Sequence, residues 1–145
     1  MKKTVRIANQ TDIAAVFDIR TSVKENHLSR AQLTEMGITA DAIQQAMLQA
    51  PCVWIAEVDG IAAGFSMANR EDGCVFAAFV RPEYEGYGLG RSLMEKAEGF
   101  LFQYHPKIWL ETAEASRASG FYQTLGWLLV ERLPQGDIRM EKRQL

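Results

Sequence analysis

The sequence predicts a mixed α/β fold in which antiparallel hairpins lead into one parallel strand–helix–strand unit. Three observations predict it. β-prone runs at Cys52–Val58, Ile61–Ala68 and Cys74–Val80 are separated by Asp59-Gly60 and Glu71-Asp72-Gly73, which are short turn sequences. From Leu89 the apolar residues Leu93, Met94, Ala97, Phe100, Leu101 and Tyr104 recur along one helical face as far as Pro106. Lys107–Thr112 is β-prone again, so that helix crosses between two parallel strands, normally with a right-handed connection.

The remaining elements follow in order. Thr4–Ala8 reads as a strand. Ile13, Val16, Phe17, Arg20 and Val23 are spaced as one face of a helix over Thr11–Val23, with Thr11 as its N-cap. Residues 24–38 are polar and irregular. Thr39 caps a helix that runs to about Gln49, with Ile38 and Ile43 at the two positions of a hydrophobic staple and Pro51 marking its end. After Lys107–Thr112, a short helix from about Ser116 to Leu125 stops at Gly126. Strands at Trp127–Arg132 and Asp137–Lys142, turning at Pro134-Gln135-Gly136, close the sheet. No repeat, linker or low-complexity tract interrupts this order, and residues 1–145 are expected to form a single domain.

Composition narrows the classes of function. A chain of 145 residues can bury about 68–70% of the surface its unfolded form exposes, enough for a core without staples. Cys52 and Cys74 lie in apolar runs with no companion at metal-ligand spacing, which predicts buried thiols and no metal. With no signal peptide and no long apolar span in view, a reducing cytoplasm is the expected compartment and a membrane is not an expected partner. Sixteen basic and eighteen acidic side chains give a formal charge of −2 without a basic stripe, which argues against nucleic acid as a partner.

The segment richest in functional information is Val80-Arg81-Pro82-Glu83-Tyr84-Glu85-Gly86-Tyr87-Gly88-Leu89-Gly90-Arg91. It sets three alternating glycines between a strand and a helix. The first N–H groups of a helix have no partner within it, and the helix dipole adds partial positive charge there. Gly86, Gly88 and Gly90 are free to adopt positive φ and to admit an anion close to the backbone, with Arg91 adding a charge at the rim. Two familiar phosphate loops are excluded. A Walker loop needs Gly-Lys-Ser/Thr where this chain has Gly90-Arg91-Ser92, and the dinucleotide fingerprint needs glycine at position 91.

A different pattern fits: a strand ending Val-x-Pro, then Gln or Arg, two residues, Gly, one residue, and Gly or Ala opening a helix. In this segment, and in Ala118-Ser119-Gly120-Phe121-Tyr122-Gln123-Thr124-Leu125-Gly126-Trp127, which is similar to an Ala-x-x-Phe-Tyr-x-x-x-Gly-Phe motif, the chain resembles the GNAT N-acetyltransferase superfamily. The Trp54–Gly60 hairpin and the Gly64-Phe65 strand extend the resemblance over essentially the whole chain. Three positions depart from the pattern. Glu85 replaces the usual Gln or Arg, Tyr87 stands where a basic residue is common, and Ala115 lies where many relatives carry an Asn that touches the pantetheine arm, with Ser116 or Arg117 as the candidate replacement for that contact.

The resemblance implies a mostly antiparallel curved sheet of about six to seven strands, flanked by about four helices, with a splayed parallel pair at its centre. It implies acetyl-CoA as cosubstrate, without a metal, and direct transfer of acetyl to a primary amine of a small molecule or peptide in a ternary complex. The cofactor residues it implies are Ala78, Phe79 and Val80, pairing with the pantetheine arm as an added strand, then Gly86, Tyr87, Gly88, Leu89, Gly90, Arg91 and Ser92 at the diphosphate, with Tyr122 near the sulfur. A backbone N–H of Phe79 or Val80 would polarise the thioester carbonyl, an effect worth roughly 3 kcal/mol. Tyr122 is the implied proton donor to the leaving thiolate, a role worth on the order of 10²–10⁴-fold.

No residue of strand 74–80 is acidic, so Glu111 on the neighbouring strand is the candidate base, with a water chain as the alternative. Glu25, Asn26 and His27, near Arg20 and Arg30, form a polar cluster in the region that frames the acceptor pocket in the superfamily, so the resemblance implies that they bind the acceptor's ammonium group, with Glu111 as a second contact for it. A homodimer is the assembly the superfamily implies. Alternatives from other classes are a CoA-binding sensor without turnover, which Glu85 and Ala115 motivate, and a plain interaction domain; a longer acyl chain is the alternative within the enzyme class.

Overall fold

The computed structural model describes residues 1–25 and 27–144. Seven strands form one sheet: β1 Lys3–Ile7, β2 Val53–Val58, β3 Ile61–Asn69, β4 Cys74–Val80, β5 Lys107–Ala113, β6 Leu128–Arg132 and β7 Asp137–Arg143. Their spatial order is β1-β2-β3-β4-β5-β7-β6. Every neighbouring pair is antiparallel except β4 and β5. Five α-helices accompany them: α1 Ile13–Ser22, α2 Arg30–Glu35, α3 Ala40–Gln49, α4 Leu89–Phe102 and α5 Arg117–Thr124. This is the mixed, mostly antiparallel architecture that the sequence predicts.

Local chemistry accounts for the element boundaries. The β2–β3 hairpin turns on Asp59 at φ 51° and Gly60 at φ 82°, the paired positive values of a two-residue turn. Thr39 accepts from Ala42 N–H at the start of α3, while Ile43 is buried and Ile38 packs on the core as a staple requires. Gly126, at φ 94°, follows the end of α5.

Two boundaries differ from the sequence expectation. Asn9, rather than Thr11, caps the entry to the first helix, through a short 3-10 turn at Gln10–Asp12 that α1 follows. Its reciprocal bonds are Asn9 Oδ1 accepting from Thr11 N–H and Asp12 Oδ2 accepting from Asn9 N–H. Within the stretch expected to be irregular lies α2, making five helices instead of about four. Ser29 accepts from Gln32 N–H while the Gln32 side chain accepts from Ser29 N–H, a capping box that starts a helix only six residues long. Leu33, 1% exposed, then anchors it to the core.

Helices pack on both faces of β3. Ser66 Oγ donates to Leu93 C=O at 3.0 Å, and a Cβ at Gly64 would sit 3.0 Å from the Leu93 side chain, so these residues face α4. The alternate residue Phe65 turns to the other face with Phe79, ring centroids 5.8 Å apart, where Arg20 of α1 lies over the Phe79 ring. A β-strand buried on both sides has no polar face, and its central run Ala63–Ser66 is buried throughout.

Behind α4 lies a buried polar lock. Glu98, 8% exposed, accepts from Trp127 Nε1 at 3.1 Å and from Lys142 Nζ at 2.6 Å, tying α4 to the segment before β6 and to β7. The indole N–H and the ammonium both need an acceptor once removed from water. Glu98→Ala should therefore lower unfolding free energy by about 2 kcal/mol, less than for a fully buried pair because part of the Lys142 chain meets solvent. Urea denaturation of the variant beside wild type measures this directly.

Candidate functional site

The site originates where β4 and β5 part. They share a single paired position, Cys74↔Trp109, beside a bond from Trp109 N–H to Gly73 C=O of 3.1 Å. Beyond it the two strands share no further paired position. Meanwhile β4 stays paired with β3 through Gly64↔Val80, Phe65↔Phe79 and Ser66↔Ala78. Arg81 N–H donates to Ala63 C=O at 2.8 Å. Hydrogen-bonded pairs alternate along an antiparallel ladder, so Phe79 N–H points to β3 while those of Ala78 and Val80 point into the opening. Of the two backbone donors expected from the sequence, the ladder thus turns Val80 toward the gap and Phe79 away from it.

At the end of β4 the chain passes through a 3-10 turn at Pro82–Tyr84 and enters the glycine segment. Gly86 has φ 86° and Gly88, the residue before α4, has φ 81°. These values favour glycine strongly over residues with a Cβ. The hydrogen-bond ladder of α4 begins with Ser92 N–H to Gly88 C=O, 3.2 Å. Among the described residues no acceptor meets the N–H groups of residues 86–91. Gly90 departs from the expectation of positive φ. It lies inside α4, and a Cβ there would come 3.3 Å from the Phe121 ring, so glycine at 90 allows α5 to approach α4 closely.

One cavity of about 1000 Å³ joins these features. Its wall includes Ala78, Phe79, Val80, Gly86, Gly88, Leu89, Gly90, Arg91, Glu111, Tyr122 and Glu25. Tyr87 and Ser92 are not part of that wall. Tyr87 is 42% exposed and its C=O accepts from Lys3 Nζ at 3.0 Å, while Ser92 Oγ bonds back to Gly88 C=O at 3.3 Å. Asn26 lies outside the described residues.

Each remaining candidate has a definite environment. Tyr122 is 8% exposed, and its ring packs near Trp127 and Phe121. Burial pushes its phenol up to about 12, so the hydroxyl holds its proton throughout the neutral range. Glu111 is exposed on β5, in register with Arg139 of β7. Glu25 Oε2 accepts from Arg117 N–H at 3.1 Å, so its carboxylate reaches the first turn of α5. His27 Nδ1 lies 3.0 Å from Val23 C=O, and Arg30 covers the Phe17 ring. On the α1–α2 side the cavity wall combines apolar Val16, Phe17 and Leu33 with the charged Arg20, Lys24 and Glu25.

Sequence reasoning named Arg117 only as a stand-in for the Asn absent at 115 and missed its ion pair, in which Nη1 meets Glu85 Oε2 at 2.9 Å at the cavity rim. No local pattern signals a pair 32 residues apart. Arg20 is held in the cavity wall, where burial lowers its pKa. Both cysteines are buried and free; burial, then the nearby Asp72 charge, pushes the Cys74 thiol up to about 11. No group of three His, Cys, Asp or Glu side chains suited to a metal occurs among the described residues, and no described helix is long and apolar enough to cross a membrane.

A family model described as an acetyltransferase (GNAT) domain matches residues 20–136. This chain belongs to the GNAT family. A curated relative, an N-acetyltransferase of Archaeoglobus fulgidus called uncharacterized, is 34% identical over 39% of this chain and 44% of its own length. The chain therefore spans less than half the length of that relative. Among solved structures, the GNAT fold seen here matches PaiA N-acetyltransferase from Thermoplasma acidophilum in complex with coenzyme A. The TM-score is 0.81 at 15% identity, covering 99% of this chain and 100% of that one. It also matches the ribosomal-protein-S18-alanine N-acetyltransferase of Escherichia coli, with TM-score 0.72 at 20% identity over 98% and 94%.

The buried phenol in this GNAT domain makes a linkage prediction. Its folded pKa, about 12, exceeds the ordinary value of 10, so above pH 10 the unfolded chain loses a proton that the folded chain keeps. Stability must then fall as pH rises from 10 toward 12, by about 2 kcal/mol from this residue alone. Urea unfolding midpoints measured from pH 8 to 11.5 should show the steeper alkaline loss in wild type, and Tyr122→Phe should flatten it.

Proposed function

We propose that this protein transfers the acetyl group of acetyl-CoA to a primary amine of a small molecule or peptide, with both substrates bound together. The observation that carries the reading is the row of N–H groups at residues 86–91, without acceptors among the described residues, at one end of a cavity that runs past the parted strands to Tyr122. Such a row at a helix start suits a diphosphate. The bare space above Gly86 and Gly88, where a Cβ would meet nothing within 4 Å, leaves room for phosphate oxygens.

The outward edge of β4 offers polar main chain at Ala78 and Val80, which an extended amide-bearing arm would satisfy in the manner of an added strand. Bound there, acetyl-CoA supplies an activated acyl group as its thioester. The chain's own residues supply the rest. Val80 N–H is positioned as the donor to the carbonyl oxygen as negative charge develops on it. Tyr122, protonated and buried in the cavity wall, gives its proton to the departing sulfur. Glu111 borders the same cavity from β5 and is exposed, which suits it to take a proton from the incoming ammonium, directly or through water. Glu25 acts on the acceptor side by fixing the segment after α1 against α5.

Calorimetric titration with acetyl-CoA tests the reading, with NAD as the control ligand. Specific binding followed by thiol release in the presence of primary amines is the expected result; binding without turnover across a broad amine panel would make the protein a CoA sensor instead. Tyr122→Phe should lower kcat by about 10²-fold or more while leaving CoA affinity nearly unchanged. An equal loss of both would mark Tyr122 as structural. Gly88→Val should abolish CoA binding, since a β-branched side chain is strained at φ 81°, while circular dichroism still reports a folded chain.

A further inference from the structure

We infer that Arg117 is a diphosphate-binding residue which Glu85 holds at the cavity rim until the ligand displaces it. The inference rests on the acetyl-CoA reading and adds to it a charge exchange specific to this chain. Glu85 directly precedes Gly86, so a carboxylate stands beside the N–H row. Left unpaired it would repel phosphate oxygens. Arg117, the first residue of α5, offsets it with a bond of 2.9 Å, and both residues border the same cavity as Gly86, Gly88 and Gly90.

The pair is built for exchange. Its side chains are 76% and 41% exposed, so solvent screens the attraction and little holds the guanidinium to the carboxylate. The backbone of Arg117 is fixed separately, by its N–H bond to Glu25. The root of the side chain therefore stays in place while the guanidinium is free to turn. A guanidinium matches phosphate oxygens with two parallel N–H donors and gains more from a multiply charged anion than from one exposed carboxylate.

Two other cations lie near the row, Lys3 and Arg91, and Arg91 borders the cavity as well. Lys3 Nζ is bonded to Tyr87 C=O, while Arg91 has only a long, exposed contact of 3.8 Å with Glu95 and can add its charge beside that of Arg117. Arg117 thus replaces, from a separate helix, the positive charge that positions 85 and 87 do not provide.

A double-mutant cycle read by calorimetry with CoA tests this. Arg117→Ala should weaken CoA binding about tenfold, and Glu85→Gln should strengthen it about threefold by releasing the guanidinium and removing the repulsion. The decisive arm is Arg117→Ala in the Glu85→Gln background, where the loss should again be about tenfold, because the arginine itself touches the diphosphate. Binding of pantetheine, which lacks the diphosphate, should be the same in all four proteins. No loss in the Glu85→Gln background would reduce Arg117 to a neutraliser of Glu85 and overturn the inference, as would an equal loss for pantetheine, the mark of a structural defect. Failure of wild type to bind CoA would overturn the acetyl-CoA reading itself, a result distinct from CoA binding that ignores Arg117.

Discussion

The divergence of β4 from β5 governs the rest of the molecule. A sheet normally satisfies its strands on both edges, and here the central parallel pair does so only at Cys74 and Trp109. Past that vertex, main-chain donors on β4 face a gap, and the gap is kept open by what flanks it. Antiparallel pairing with β3 fixes one wall and the β5–β7 ladder fixes the other. The helix crossing between the strands starts at the wide end, so its unpaired N–H groups and the ladder's unpaired edge open on one cavity. Sheet irregularity and binding space are therefore one feature.

Rigid packing supports this open geometry. α4 is pressed against β3 through Ser66, Gly64 and Leu93, and is tied to the β7–β6 end of the sheet through Glu98 with Lys142 and Trp127. Close approach of α5 depends on the bare backbone of Gly90 beneath Phe121. In turn, α5 carries Tyr122 into the core and Arg117 to the rim. One helix thus sets both a buried proton-bearing group and an exposed charge, and its position relative to the glycine segment sets both at once.

Elements with a strong local cause were legible in the sequence. Asp59-Gly60 fixed a hairpin, the apolar period from Leu93 to Leu101 fixed α4, and the glycine segment with the Phe121-Tyr122 motif marked the site. Less visible was α2, because six residues are too few for a period and its capping box, Ser29 with Gln32, was the sole local signal. The cap at Asn9 was hidden in the same way, by a 3-10 turn inserted before the helix proper. Which of Phe79 and Val80 faces the gap depends on ladder parity, which only the Arg81–Ala63 bond reveals. Contacts such as Arg117 with Glu85, Glu25 with α5 and Lys3 with Tyr87 join residues far apart in the chain, and no spacing rule anticipates them.

The row of donors at residues 86–91 consists wholly of main chain. Its geometry depends on the path of the backbone, and side chains at 87, 89 and 91 project from that path without forming it. Substitution at 87 or 91, both exposed, is therefore a gentler change to the row than one at the buried Leu89, whereas inserting or deleting a single residue would turn every following N–H by about 100° around the helix. The length of the segment is thus a tighter constraint on the row than the side chains it carries at 87 and 91.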